Sequence, residues 1–388
     1  MRFHLNVAVT FLAVVGLYCA PAQAQISKAY FSGYTFMADQ VEIGVRFPYS
    51  LQISEEKDAK GIGILDAELG KRLMADLPTS FDLDFGTSDA TGEVTLAFAL
   101  DWENVSVTKI GDVYKIVIDI HAQILAFDFA EKKVIAAFPV AVQLRDGAKE
   151  KPSKTYIMSR IRELYLTNKH GVNVFDEFIA RFKTVKINAK YRNYIQLTDV
   201  DVTERAMKKV SEFSQLKLSN FKGFVGQHFT KFLSVNQSVA VLPYSKGQAI
   251  GGRMAMRFSD GEVFDMTMPE PDYQMQIQYT GFGKKLLDKN NVWEAWLYVT
   301  GYTLTVLEPL SGRKYLSAGF RDSVVVKQVA GETEPDHWSA YQEAFFSLST
   351  NLTKQISLRD TAWLDKRTKE KNVSEQLEKL EGILERCR

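Results

Sequence analysis

The sequence predicts an α+β protein of two tandem domains, each a mixed, mostly antiparallel sheet with helices packed on one face, plus a C-terminal helix. Three observations carry this expectation. Runs of β-branched and aromatic residues alternate with polar ones. Shorter stretches between them place apolar residues at helical spacing. The order of these stretches in the first half returns in the second. The return is clearest at two hairpin-like segments, "FDFAEKKVIAAF" (127–138) and "VLEPLSGRKYLSAGF" (306–320). Each follows a β-rich run, turns at a polar segment carrying two cations and leaves as a small-residue strand ending in Phe.

The elements follow in order. Arg2, an apolar run over 7–20 and Ala22-Gln23-Ala24 read as a signal peptide over 1–24, cleaved before Gln25. A chain so exported is expected in the periplasm or outside the cell. The apolar run is too short to anchor in a bilayer, and no later segment has the length or apolarity of a transmembrane helix. The first domain is expected over 25–185. Its helix is "DAELGKRLMADL" (66–77), with Leu69, Leu73 and Leu77 on one face and Pro78 ending it. The strands "FDLDF", "EVTLAFALDW", "VYKIVIDIHAQILAF" and "KKVIAAFPVAVQL" come next. Two helical pieces close the domain, one carrying Ile157, Ile161 and Leu164, the other Val174, Phe178 and Phe182.

The second domain, expected over 186–357, repeats this order. "GFVGQHFTKFL" is its helix, with Gly226 and Leu233 standing for Gly70 and Leu77. "SVAVLPY", "YQMQIQYTGF", "AWLYVTGYTLTVL" and "RKYLSAGFRDSVVVK" are its strands. A closing helix carries Tyr341, Phe345, Leu348, Leu352 and Ile356, with Asp336 as its N-cap. Each domain needs an upstream strand, supplied by "VEIGVRF" or "NYIQLTDVDV". Residues 358–388 form a charged amphipathic helix.

The pattern "VRFPYSLQI…LDAELGKRLMADL…VTLAFAL…YKIVIDIHAQILAFDFAEKKVIAAF" resembles a small periplasmic domain. That domain is shared by the N-terminal part of the Tol translocation protein TolB, the curli export protein and certain flagellar assembly proteins, and "LEPLSGRKYLSAGF" is similar to their hairpin turn. The resemblance would cover the chain in two tandem copies. It implies an envelope scaffold or adaptor and supplies no catalytic residues. The chain departs from those families in lacking propeller repeats and a lipid-bearing cysteine.

Composition excludes several classes. Lys and Arg number 48 against 47 Asp and Glu, a net charge of +1 with the signs mixed, so no basic stripe offers itself to nucleic acid. Beyond the leader Cys387 is the sole thiol, which rules out an internal disulfide framework. No G-x-S-x-G, H-E-x-x-H, C-x-x-C or P-loop occurs. His121, His170, His228 and His337 are not paired at metal-ligand spacing. No catalytic, cofactor-binding or metal-binding residue is therefore assigned.

Two features remain as candidates. In "KIVIDIHAQI", Asp119, His121 and Gln123 share one strand face opposite Ile116, Ile118, Ile120 and Ile124. They are either an acid/base pair on an open sheet face or, the favoured reading, the solvated side of a half-buried strand. The other feature is a pair of partner-binding surfaces. One is Trp296 with Tyr298; aromatics of this kind anchor interfaces, although core packing is their commoner fate. The other is the terminal seam of Leu377, Leu380 and Leu384, with Cys387 placed to bridge two identical chains. The same stripe can instead fold back on the second domain, which two heptads and Gly382 favour. The expected role is a periplasmic scaffold, adaptor or assembly factor binding other cell-envelope proteins of a flagellar, secretion or other envelope machine. A carrier of a small apolar or glycan ligand between the domains, and a hydrolase without a recognisable motif, stay open.

Overall fold

The computed structural model describes residues 26–39, 41–87, 89–213, 217–244, 253–258, 261–331 and 336–388. The expected signal peptide and its cleavage site lie outside them. The first half runs β1 (Lys28–Phe36), α1 (Ile43–Arg46), α2 (Ser50–Ser54), α3 (Ile64–Ala75) and β2 (Asp82–Phe85). A long meander follows, β3 (Val94–Ile110), β4 (Val113–Asp128) and β5 (Lys133–Ala148), then α4 (Lys154–Leu166) and α5 (Val174–Phe182). The second half runs β6 (Ile195–Val202), α6 (Glu204–Glu212), α7 (Leu218–Gln237) and a hairpin of β7 (Arg253–Phe258) and β8 (Val263–Thr267). It continues through a second meander, β9 (Tyr273–Lys289), β10 (Trp293–Leu307) and β11 (Lys314–Val329), into α8 (His337–Leu358), α9 (Thr361–Arg367) and α10 (Val373–Arg386).

The two sheets share a strand order. In the first, β1 lies parallel to β3 and the meander is antiparallel; in the second, β6 lies parallel to β9 and the meander is again antiparallel. The segments 127–138 and 306–320 therefore occupy equivalent places, the β4–β5 and β10–β11 turns. Both enter the left-handed region there, at Lys132 (φ 51°) and Gly312 (φ 66°).

The sequence shows no signal for the β7–β8 hairpin. It belongs to the second half in sequence, yet β7 pairs with β1 and β8 meets β5 at Lys133 and Thr267, so it completes the first sheet. Its Met254, Met256, Phe258 and Met266 bury Met37, Ala97, Leu125 and Phe127. Four expectations need correction, the first being the single helix over 358–388, which is two, α9 and α10, each with its own N-cap residue, Asp360 and Asn372. "VEIGVRF" is no strand: the Asp39 carboxylate accepts from the amides of Val41 and Glu42, turning the chain into α1. The upstream strand of the first half is instead β1. "SVAVLPY" makes one bridge, Leu242 with Gln196, and spans from Ala137 O to Ile195 O by its amides at 241 and 242. Leu77 lies beyond the end of α3 and is exposed, whereas Leu65, Leu69 and Leu73 form the buried stripe.

Four layers result. Helices α3, α4 and α5 pack on the Ile116, Ile118, Ile120 and Ile124 face of the first sheet. The opposite face of that sheet meets α7 and α8, whose other sides cover the second sheet through Phe221, Val225, Phe229, Phe345 and Leu348. The far face of the second sheet is polar, with Gln276, Gln278, Ser317 and Arg321 exposed. Asp336 caps α8, accepting from the Ser339 amide at 3.1 Å.

Candidate functional site

The polar face of β4 is covered. Asp119, His121 and Gln123 are at most 1% exposed, because α7 lies across them. A bulge prepares the contact. Leu100 pairs with Ala122 and Trp102 with His121, so Asp101 is the extra residue of β3. Asp101 and Trp102 both turn toward α7, with the Trp102 indole 5.1 Å from the His121 ring. Helix α7 meets them with a small and polar stripe, Gly223, Gln227, His228 and Lys231, on a helix otherwise rich in Phe. A Cβ at Gly223 would sit 3.3 Å from the Trp102 ring nitrogen, and one at Gly226 only 2.4 Å from the Tyr244 ring. The glycines let the helix lie close to its neighbours.

Part of this seam is hydrogen-bonded, although Oδ1 of Asp101 and the amide oxygens of Gln123 and Gln227 are buried without a hydrogen bond. One Asp101 oxygen accepts from the Gln123 amide at 2.8 Å and from the Gln227 amide at 2.9 Å, and Arg46 lies 3.9 Å from the other. Asp119 accepts from Gln143 at 2.6 Å and from Asn104 at 3.5 Å, and Asn104 accepts from Asn220 at the start of α7 at 3.1 Å. At the rim, Lys115 pairs with Asp336, and Arg145 lies 3.6 Å from Glu343.

The histidines are not satisfied. The His121 and His228 rings meet edge to face at 4.5 Å, and both His121 nitrogens and Nε2 of His228 are buried without a hydrogen-bond partner. Each such group costs about 1–3 kcal/mol. Burial pushes His121 down to about 3, with Lys231 adding to the shift, and pushes His228 well below its ordinary value. Burial raises Asp119 to about 6 against the pull of Gln143 and Asn104. With both rings neutral, the 3.9 Å approach of His228 Nε2 to Asp119 Oδ1 is not an ion pair. Among the described residues, Asp119, His121 and His228 form a group able to hold a metal ion, their ligating atoms all within 4.8 Å of one another. An open cleft of about 470 Å³ reaches His228, lined also by Gln143, Lys231, Phe232 and Phe346.

The other candidates lie elsewhere. Tyr298 is buried, its hydroxyl 2.8 Å from His337 Nδ1. Trp296 is half-buried, donating to Glu294 at 2.9 Å beneath the Lys284 ammonium. Leu377, Leu380 and Leu384 face inward against α8 and β11, and Cys387 is buried beside them, its thiol pushed up to about 12 by burial. A bridge through Cys387 would require this seam to open. The residues that sequence reasoning missed are Asp101, Gln227 and His228. A signal existed: Gly223, Gln227 and Lys231 recur four apart along an otherwise aromatic helix, which marks a second, polar contact face.

Neither a family model nor a curated protein matches this chain. Among solved structures it is similar to a minor lipoprotein from Acinetobacter baumannii, at 8% identity over 46% of this chain and 98% of that one, TM-score 0.21. It is also similar to a provisionally assigned lipoprotein from Caulobacter crescentus, at 10% identity over 43% and 89%, TM-score 0.21. A provisionally assigned homologue of the neuraminyllactose-binding hemagglutinin from Helicobacter pylori shows 13% identity over 45% and 92%, TM-score 0.21. Likenesses at this TM-score say nothing about what the chain does. Among the described residues no helix is long and apolar enough to cross a membrane.

Proposed function

We propose that this chain is an exported adaptor of the cell envelope that holds another envelope protein along the outer edge of its second sheet. The observation that carries this reading is β11. Among the described residues this 16-residue strand pairs on one side only, with β10. An edge of that length offers unpaired backbone groups to an incoming strand. Helix α10 covers one end, where Gln376 accepts from the Ser317 amide at 2.8 Å. The other end presents Val325 and Val329, 56% and 69% exposed, next to the exposed Val292 of the neighbouring turn. The sequence of residues 1–24 supplies the export reading, and the resemblance to Tol, curli and flagellar domains suggests a partner within an envelope machine. Against a hydrolase stands the setting of Asp119 and His121, sealed between layers where a substrate cannot reach both.

Site-specific photo-crosslinking tests the reading. A crosslinker at Val325 is expected to yield a discrete adduct with one envelope protein, and one at the still more exposed Leu358 is not. Equal yields from both positions, or a chain that elutes from envelope extracts without any companion, would overturn it.

A further inference from the structure

We infer that Asp119, His121 and His228 bind one divalent transition-metal ion, which fastens the first sheet to α7. The donor set points to the class of ion. Two imidazoles and one carboxylate suit Zn²⁺, Ni²⁺ or Cu²⁺ and do not suit Ca²⁺ or Mg²⁺, which need more oxygens. The geometry is near what such an ion requires. Ligands about 2 Å from a tetrahedral centre stand about 3.3 Å apart. Here His228 Nε2 and Asp119 Oδ1 are 3.9 Å apart, and all three ligating atoms fall within 4.8 Å. Small side-chain rotations close that gap.

Two independent observations point to a ligand at this spot. First, both His121 nitrogens and Nε2 of His228 are buried with no protein partner, although buried polar atoms are almost always paired, and one nitrogen of each ring lies within 4.8 Å of the other and of the Asp119 carboxylate. Second, the carboxylate is already held in place. Gln143 and Asn104 donate to its two oxygens, the kind of outer support that ligating carboxylates receive. The cleft of about 470 Å³ is lined by His228 and Gln143, giving the ion an approach from the His228 side. One feature opposes a cation. Lys231 lies close enough to depress both histidines, though it is held by the Ala141 carbonyl at 3.0 Å and faces Glu177 at 3.9 Å.

The ligands come from two elements far apart in sequence, β4 and α7, so binding is possible only while the two halves are docked. The ion should therefore stabilise the docked form by mass action.

The test uses the purified chain without a polyhistidine tag, stripped by chelator and titrated with Zn²⁺ alone and with Co²⁺ alone. Expected are one Zn²⁺ per chain by calorimetry, the intense visible absorption of four-coordinate Co²⁺, and a Tm raised by Zn²⁺. Asp119→Asn keeps side-chain shape and His228→Gln keeps a polar side chain of similar length; each should weaken Zn²⁺ binding at least tenfold and abolish the Tm rise. Lys231→Met should tighten binding several-fold, an effect that a purely structural role for this cluster does not produce. Circular dichroism of each metal-free variant establishes that it is folded. Absence of stoichiometric Zn²⁺ binding by the folded wild-type chain would overturn the proposal. So would binding left unchanged by both Asp119→Asn and His228→Gln, since the ion would then sit elsewhere.

Discussion

The two faces of β4 are built from alternate residues of one strand, and both are buried, yet they are held in different ways. Ile116, Ile118, Ile120 and Ile124 interlock with the helices of their own half, where any apolar shape that fills the space serves. Asp119, His121 and Gln123 meet α7, supplied by the other half, where each polar atom needs a particular partner. One Asp101 oxygen and the Gln123 and Gln227 amide nitrogens have found theirs, whereas the other Asp101 oxygen, the two amide oxygens and both His121 nitrogens make no hydrogen bond. One strand thus carries a tolerant face and an exacting one.

The largest effect should come from the apolar face. Ile120→Ala leaves a cavity among residues with no exposure and should cost about 2–5 kcal/mol in denaturant unfolding. A cost under 1 kcal/mol would mean that this face collapses freely, and the contrast would fail. Next is the hydrogen-bonded part of the polar face. Asp101→Ala strands the Gln123 and Gln227 amides and should cost about 1–3 kcal/mol. His121→Leu, by contrast, removes two unpartnered nitrogens and should be near neutral at pH 7 in metal-free protein.

The pH dependence sharpens the same contrast. The folded-state value of His121 is about 3, below its unfolded value of about 6.5. The stability linked to it is therefore full above pH 6.5 and is lost as pH falls toward 3. His228 and Lys231 face it from α7 and Trp102 from β3, while Asp119, raised to about 6, acts with the opposite sign. Because Asp119 is common to both proteins, comparison with His121→Leu isolates the histidine. Wild type should lose about 1–2 kcal/mol relative to the variant between pH 7 and pH 5; parallel stability curves would contradict the assignment. The smallest effect is expected at Cys387. Non-reducing electrophoresis of the folded chain should show no bridged dimer, and Cys387→Ser should migrate like wild type.

The strands were legible where β-branched residues alternate over long runs, as in β4 and β10, and the helices where apolar residues keep a 3-4 spacing, as in α5 and α8. The β7–β8 hairpin was not, since "RMAMRF" and "VFDMT" are short and Met-rich, and only pairing with β1 makes them strands. The site was half legible. Asp119 and His121 stood out by alternation, but alternation reads the same whether the polar face meets water or another layer of protein.

By itself the sequence determined the classes of element, their duplicated order, and the lack of a disulfide framework or known catalytic motif. These rest on local periodicity and residue chemistry, which neighbours along the chain decide. Only the tertiary structure decided that α7 would lie against β4, that His228 would meet His121, and that the terminal leucines would turn inward. Those outcomes depend on which surfaces of distant segments fit together, a property that no local pattern encodes.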